Sequence, residues 1–109
     1  MTITEFLLAR IADDETSAQR GRSHPDPSTF ARDNYGYLWV QPAHVLAECE
    51  AKRRLVELHH EEGAAGATYC SSCEDRDRHD GEPWPCPTIR VLASVYADHP
   101  DFDPAWSLS

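Results

Sequence analysis

The 109-residue sequence predicts a mainly α fold, with about three helices packed around a cysteine knuckle. Apolar residues recur at helical spacing in three separate segments, which favours helices that each bury one face. Pro42 and Pro87 stand where the second and third segments begin, and proline is tolerated there because the first helical residue has no intrahelical N–H bond to lose. Between those two helices lies Cys70-Ser-Ser-Cys73, whose spacing lets two thiolates hold one tetrahedral metal ion.

The first helix is expected over residues 4 to about 20, with Thr4 as its N-cap and Gly21 as the residue that ends it. The side chains that share one face are Ile3, Phe6, Leu7, Ile11, Asp14 and Ala18. From Gly21 to Pro27 a loop is expected, because the two prolines of this segment disfavour helix at the residues that precede them.

Residues 28–40 differ in composition, because strand-favouring aromatic and β-branched side chains accumulate there. Asp33 and Asn34 suit the turn between two strands, so a small β-hairpin is the expected structure. Its aromatic side chains are Tyr35, Tyr37 and Trp39. They form a candidate surface for protein contacts if the hairpin exposes them, and part of the core if it does not.

The second helix is expected over residues 43 to about 60. Its apolar stripe consists of Val45, Leu46, Cys49, Leu55 and Val56. His59 follows three residues after the last of these, so its side chain should face the core. His60 lies roughly 100° further round the helix and should face solvent. Gly63 and Gly66 are then expected to separate the helix from the cysteine pair.

The third helix is expected to begin at the Cys86-Pro87 junction and to stop at Asp98-His99-Pro100. Its buried side chains are predicted to be Ile89, Leu92, Val95 and Tyr96. Phe102 and Trp106 lie four residues apart, which favours a last helical turn that packs both aromatic rings on the core.

Three of the four cysteines have the arrangement of zinc ligands. Cys70 and Cys73 offer a pair from a tight turn, and Cys86 stands at a helix N-terminus, where the dipole and free N–H groups stabilise a thiolate. Three sulfurs leave one tetrahedral position to fill. His59 is the expected fourth ligand, because it ends the second helix on the buried face. The sequence therefore predicts a structural zinc site of His59, Cys70, Cys73 and Cys86.

Four more residues are candidates for the fourth position: His60, His79, His99 and Cys49. Cys49 lies on the apolar stripe of the second helix, where a free cysteine usually packs as a small hydrophobe. A redox Cys-X-X-Cys pair is less favoured than a metal site, because that motif needs an apolar strand before it and a helix after it. Here Gly-Ala-Thr-Tyr precedes the pair and an acidic loop follows it.

The charge balance argues against two classes of partner. Nineteen acidic and ten basic residues give a formal charge of −9, whereas proteins that bind nucleic acid cluster Lys and Arg. We therefore expect no direct nucleic-acid contact and no membrane attachment. The N-terminal apolar stretch is too short for a secretory signal, so the cytoplasm is the expected location, and there cysteines more often serve as thiols or metal ligands. One domain over residues 1–109 is expected, because a chain of this length builds one modest core.

The segments Val45–His59, Cys86-Pro-Thr-Ile-Arg90 and Tyr96-Ala-Asp-His-Pro-Asp-Phe102 resemble a family of small uncharacterised proteins from actinobacteria and their phages. The resemblance covers most of the chain and is weakest over residues 21–43. Relatives commonly begin the second helix with Asp-Pro-Ala-Arg, where this chain has Gln41-Pro-Ala-His44. The resemblance implies an actinobacterial or phage source and an intracellular setting, and it brings no established activity.

The sequence leaves three functions open. The leading hypothesis is an accessory or interaction protein with a protein partner, because four protein ligands leave the zinc no open position for a substrate. The second is a zinc hydrolase with water as the fourth ligand and Glu57 or Glu61 as the base, which requires that His59 is not a ligand. The third is an acidic mimic of nucleic acid that occupies a basic groove of a host protein, and only the net charge motivates it.

Overall fold

The computed structural model describes residues 1–23, 25–26, 41–64, 66–75 and 80–108. Its helices are α1 (Ile3–Ser23), α2 (Pro42–Leu58) and α3 (Pro87–Ser94), followed by a 3₁₀ turn at Pro104–Trp106. Its strands are β1 (Glu61–Ala64), β2 (Ala67–Asp75) and β3 (Asp80–Pro83), which form one antiparallel sheet in the order β1-β2-β3. Within these residues, the predicted mainly α fold with three helices is confirmed. The hairpin predicted over residues 28–40 lies outside the described residues.

Helix α1 extends beyond both predicted ends. Its N-terminus is capped by Thr2, whose Oγ1 accepts the backbone N–H of Glu5 at 3.1 Å, so the assignment of Thr4 as the cap was wrong. Gly21 does not end the helix either, because it lies buried within α1. The predicted apolar face is confirmed, since Phe6 and its apolar neighbours on that face are buried where α1 packs against α2. In the described part of the chain, no helix combines the length and apolar character needed to cross a membrane.

Helix α2 begins at Pro42, one residue earlier than expected, and the preceding Gln41 makes no side-chain capping bond. Cys49 and Val56 are buried, which confirms that they belong to the inward stripe. Leu55 was placed on the same stripe wrongly, because its side chain is 37% exposed. The helix ends at Leu58, two residues earlier than expected, and the chain then turns into the sheet.

The small sheet was not predicted from residues 61–83. Strands β1 and β2 form a hairpin in which Glu61 pairs with Cys70, and Gly66 occupies the turn with a φ of +87°. Strand β2 then pairs with β3, and its register shifts between Tyr69 and Glu74. This irregular stretch of β2 contains both cysteines of the Cys-X-X-Cys pair. The pair is therefore presented by a distorted strand.

Helix α3 begins at Pro87, directly after Cys86, as predicted. Its buried residues are Ile89 and Ala93, which lie one turn apart on the inner face. Val95 was predicted to be buried, but α3 ends at Ser94 and the Val95 side chain is 65% exposed.

The aromatic part of the core is centred on Phe6 of α1, which is 0% exposed. Its ring centroid lies 5.1 to 6.3 Å from those of Tyr96, His99, Phe102 and Trp106. The rings of Phe102 and Trp106 both pack on Phe6 as predicted, but only Trp106 lies in the 3₁₀ turn. The same continuous core extends to the buried cysteines Cys49, Cys70 and Cys86.

Candidate metal centre

Three structural elements bring four potential ligands to one point. His59 immediately follows α2, Cys70 and Cys73 lie in β2, and Cys86 is the N-cap residue of α3. One ligand atom from each of these four residues lies within 4.8 Å of all the others. The residues named from the sequence as zinc ligands are thus gathered into a single His–Cys₃ cluster.

The distances within the cluster suit a single tetrahedral ion. Nδ1 of His59 lies 3.4 Å from Sγ of Cys70, 3.4 Å from Sγ of Cys73 and 3.8 Å from Sγ of Cys86. Bonds of about 2.3 Å to sulfur and about 2.0–2.1 Å to nitrogen, at a tetrahedral angle, separate N and S by about 3.6 Å. The imidazole nitrogen and the three sulfurs therefore surround a space of the right size for one such ion.

The three thiols of the cluster differ in the direction of their pKa shifts. Burial works to raise the pKa of Cys70, but the backbone N–H groups of Ser72 and Cys73 point at its sulfur and lower that pKa below its usual value. Burial raises the pKa of Cys86 to about 12, although the backbone N–H of Ile89 opposes the shift. Burial and the neighbouring Cys70 sulfur raise the pKa of Cys73. A bound cation would stabilise all three sulfurs as thiolates.

The two serines between the cysteines connect β2 to the end of α2 by hydrogen bonds. The hydroxyl groups of Ser71 and Ser72 both donate to the carbonyl of Leu58, the former at 3.0 Å. The backbone N–H of Ser71 also donates to the carbonyl of His60 at 2.9 Å. These bonds satisfy the Leu58 carbonyl, which has no partner within the helix, and they fix the position of His59. Sequence reasoning missed this function, although two hydroxyl residues inside the pair were a usable signal.

His60 points away from the cluster, as predicted. Its side chain is exposed; Nδ1 donates to the carbonyl of Glu57 at 3.1 Å and Nε2 lies 3.0 Å from the carboxylate of Glu62. The Glu57 carbonyl, followed by the Glu62 carboxylate, raises the pKa of His60. Both ring nitrogens are thus engaged outside the His–Cys₃ cluster.

Two of the other candidates for the fourth ligand, His99 and Cys49, are not part of the cluster. The ring of His99 packs edge-on against Phe6 at 5.7 Å, and its Nδ1 accepts the backbone N–H of Asp101 at 3.0 Å. Cys49 is 1% exposed in the core, and burial raises its pKa, which agrees with a small apolar side chain. His79 is not among the described residues. Within the described segments, the His–Cys₃ group is the one metal-ligand cluster found.

One hydrogen-bonded chain beside the cluster resembles a catalytic triad. Oγ of Ser71 lies 3.0 Å from Nδ1 of His60, and Nε2 of His60 lies 3.0 Å from Glu62. A nucleophilic serine needs an unprotonated nitrogen as its base. However, Nδ1 must carry a proton because it faces the Glu57 carbonyl, and Ser71 donates its own proton to Leu58. The three side chains therefore act as structural links.

The fold and the site together define a small, mainly helical domain with a candidate His–Cys₃ metal centre. The chain belongs to a family described as a family of unknown function (DUF6221), whose model matches residues 1–108. This match confirms the resemblance to an uncharacterised family. Searches for similar curated proteins and for similar solved structures found no match.

Proposed function

We propose that this chain binds one zinc ion in a closed, structural site and acts as an accessory protein through contacts with a protein partner. The observation that carries the proposal is the convergence of four ligand atoms within 4.8 Å from the end of α2, from β2 and from the start of α3. A metal bound there would join these three elements at one point. The ion would then replace part of the core that so short a chain lacks.

The donor set supports zinc as the ion. Three thiolates and one imidazole are soft or borderline ligands, which suit zinc better than magnesium or calcium. Structural zinc sites are tetrahedral and commonly use three cysteines and one histidine, which is the set of residues found here. The expected setting is a reducing compartment such as the cytoplasm, in which the thiols stay available as ligands.

The position of His59 supports a structural rather than a catalytic ion. A zinc hydrolase requires water at the fourth position, whereas Nδ1 of His59 lies close enough to the three sulfurs to take that position itself. Cys70 and Cys86 are 1% and 0% exposed, so two sides of the site are closed to a substrate. A domain whose metal offers no open position acts through its surface. The formal charge of −9 makes a protein a better partner than nucleic acid or an anionic membrane.

X-ray absorption at the zinc edge of the purified chain tests the closed site. The expected spectrum has three sulfur neighbours at about 2.3 Å and one nitrogen neighbour at about 2.0–2.1 Å. An oxygen neighbour from water, together with only three protein ligands, would favour a hydrolase instead. Absence of zinc from the chain after purification in zinc-containing medium would contradict the proposal as a whole.

His59 and His60 form a matched pair for a second test. His59→Ala should weaken zinc binding and lower the melting temperature, because it removes a ligand and leaves the site open. His60→Ala should keep zinc and change stability little, because His60 is exposed and bonds away from the cluster. Zinc stoichiometry and thermal melting of both variants measure the difference. Full zinc content in His59→Ala would show that the site has a different fourth ligand.

A further inference from the structure

The three cysteines of the metal centre differ in their access to solvent. Cys70 and Cys86 are 1% and 0% exposed, whereas Cys73 is only partly buried. Ser72, directly before it in β2, is exposed. A small solute that reaches the cluster from solvent therefore meets the Cys73 sulfur first.

The sulfur of Cys70 lies close enough to the sulfur of Cys73 to react with it. The sulfurs of Cys70 and Cys73 are at most 4.8 Å apart, and a disulfide requires about 2.0 Å, so an approach of less than about 3 Å joins them. Both belong to one distorted stretch of β2, where the register already shifts. Joining Cys73 to Cys86 would instead require movement between β2 and α3. The geometry thus favours a bond within the Cys-X-X-Cys pair.

We propose that the metal centre is a peroxide-sensitive switch, in which oxidation of Cys73 and Cys70 to a disulfide releases the zinc ion. This proposal rests on the zinc site proposed above. It adds a regulation of that site and names hydroperoxides as the class of oxidant. Cys73 is the residue attacked first, and Cys70 is the residue that completes the disulfide.

The chemistry balances with one peroxide. The Cys73 thiolate attacks one oxygen of hydrogen peroxide, so an S–O bond forms, the O–O bond breaks and hydroxide leaves. The Cys70 thiolate then attacks the sulfur of the resulting sulfenic acid, forming the S–S bond and expelling a second hydroxide. Each hydroxide takes up one proton to become water. Two thiolates lose two electrons in total, and the peroxide gains them.

Loss of zinc follows because the disulfide removes two of the four ligands. His59 and Cys86 alone cannot fill a tetrahedral coordination sphere. The end of α2, the distorted part of β2 and the start of α3 then lose the ion that joins them. A reductant that opens the disulfide, with zinc present, restores the original site.

The test uses the zinc-loaded Cys49→Ala chain, which keeps only the three thiols of the cluster. Hydrogen peroxide is added in the presence of a coloured zinc chelator, and free thiols are counted in parallel. We expect about one zinc to be released for each pair of thiols lost. Alkylation and peptide mapping should then find Cys70 linked to Cys73. Dithiothreitol with added zinc should return both the zinc content and the thiol count.

The wild-type chain is the control, and it should release zinc at the same rate because Cys49 lies outside the cluster. Zinc that stays bound while the thiols are oxidised would overturn the switch and leave the structural zinc site standing. A disulfide that includes Cys86 would overturn the assigned chemistry. A chain that holds no zinc before peroxide is added would overturn both proposals.

Discussion

Phe6 and Cys70 are almost equally buried, at 0% and 1% exposure, but they lie in different environments. Four aromatic or imidazole rings surround Phe6, and removing their apolar surface from water stabilises that part of the core without any ligand. Around the Cys70 sulfur lie two other sulfurs, an imidazole nitrogen and backbone N–H groups. Burial of such groups contributes little to the stability of the fold by itself. One continuous core thus contains a part that packs by itself and a part that needs a bound ion.

The largest expected effect comes from removing a ligand of the metal centre. Cys70→Ala and Cys86→Ala should each lose zinc and unfold the region around it, because zinc binding supplies roughly 10–16 kcal/mol in zinc-finger peptides. Zinc analysis and circular dichroism measure the two losses. Cys49→Ala is the matched control and should keep its zinc, since Cys49 lies in the core outside the cluster. Zinc loss from Cys49→Ala equal to that of the other two would show that the ligand assignment is wrong.

Phe6→Ala should have the opposite result to loss of a ligand: the fold loses stability but keeps its zinc. The truncation removes the ring at the centre of the aromatic cluster, and such changes cost about 3–5 kcal/mol of unfolding free energy. At room temperature the folded variant should still bind zinc, because the rings that pack on Phe6 belong to Tyr96, His99, Phe102 and Trp106 and to none of the four ligands. Urea unfolding and zinc stoichiometry test this together. Loss of zinc from the folded Phe6→Ala chain would mean that the two parts of the core are not separable.

Tyr96→Phe should give a smaller loss within the aromatic part. The Tyr96 hydroxyl donates to Oδ2 of Asp14 at 2.8 Å and accepts from Nζ of Lys52 at 3.2 Å, so it joins α1 and α2. Burial, followed by the bond to Asp14, raises the pKa of Tyr96. Losing a hydrogen bond to a charged group costs about 1.5–3 kcal/mol.

Urea midpoints of Tyr96→Phe and of the control Tyr69→Phe measure that cost. Tyr69 is 37% exposed, so its hydroxyl should contribute little. Equal changes in both variants would contradict the assigned link.

The smallest loss of stability is expected for Glu15→Gln, which weakens an ion pair on the surface between α1 and α2. Arg53 bonds to Glu15 at 2.5 Å, but the two side chains are 37% and 27% exposed, and pairs of this kind contribute about 0.2–1 kcal/mol. The Arg53 hydrogen bond lowers the pKa of Glu15 below its usual value. The pair therefore stabilises the fold above the unfolded-state pKa and loses that contribution as the pH falls through the folded-state pKa.

Urea midpoints of wild type and Glu15→Gln at neutral pH, in low and high salt, measure the contribution of the pair. The difference should shrink as salt screens the two charges. Under either condition, a destabilisation as large as that of Tyr96→Phe would show that the pair is more than a surface contact.

The candidate site could be predicted from the sequence because each of its parts has a local signal. The two-residue spacing marks Cys70 and Cys73, the proline after Cys86 marks a helix start, and the helical period places His59 on the inner face. The structure brings these residues together. Their identity as ligands of zinc stays a prediction that metal analysis tests.

The sheet could not be predicted because its strands lack the usual signals. Strand β1 contains no β-branched or aromatic residue, and all four of its residues are exposed. Its geometry depends on Gly63, which has a φ of +101° and where a Cβ atom would lie 2.9 Å from the carbonyl oxygen of Ala67. In the sequence, Gly63 indicated only the end of the second helix. The burial of Leu55 and Val95 was predicted wrongly for a similar reason. Helical spacing alone does not show which apolar side chains are covered by a neighbouring helix or strand.

Helix α3 has only eight residues, and its first neighbour, Cys86, is both its N-cap and a candidate ligand. Isolated helices shorter than about 12–15 residues rarely form in water, because the first turn fixes several dihedral angles for one hydrogen bond. An ion that fixes Cys86 would organise that first turn in advance. The arrival of the metal and the nucleation of α3 would then be a single event.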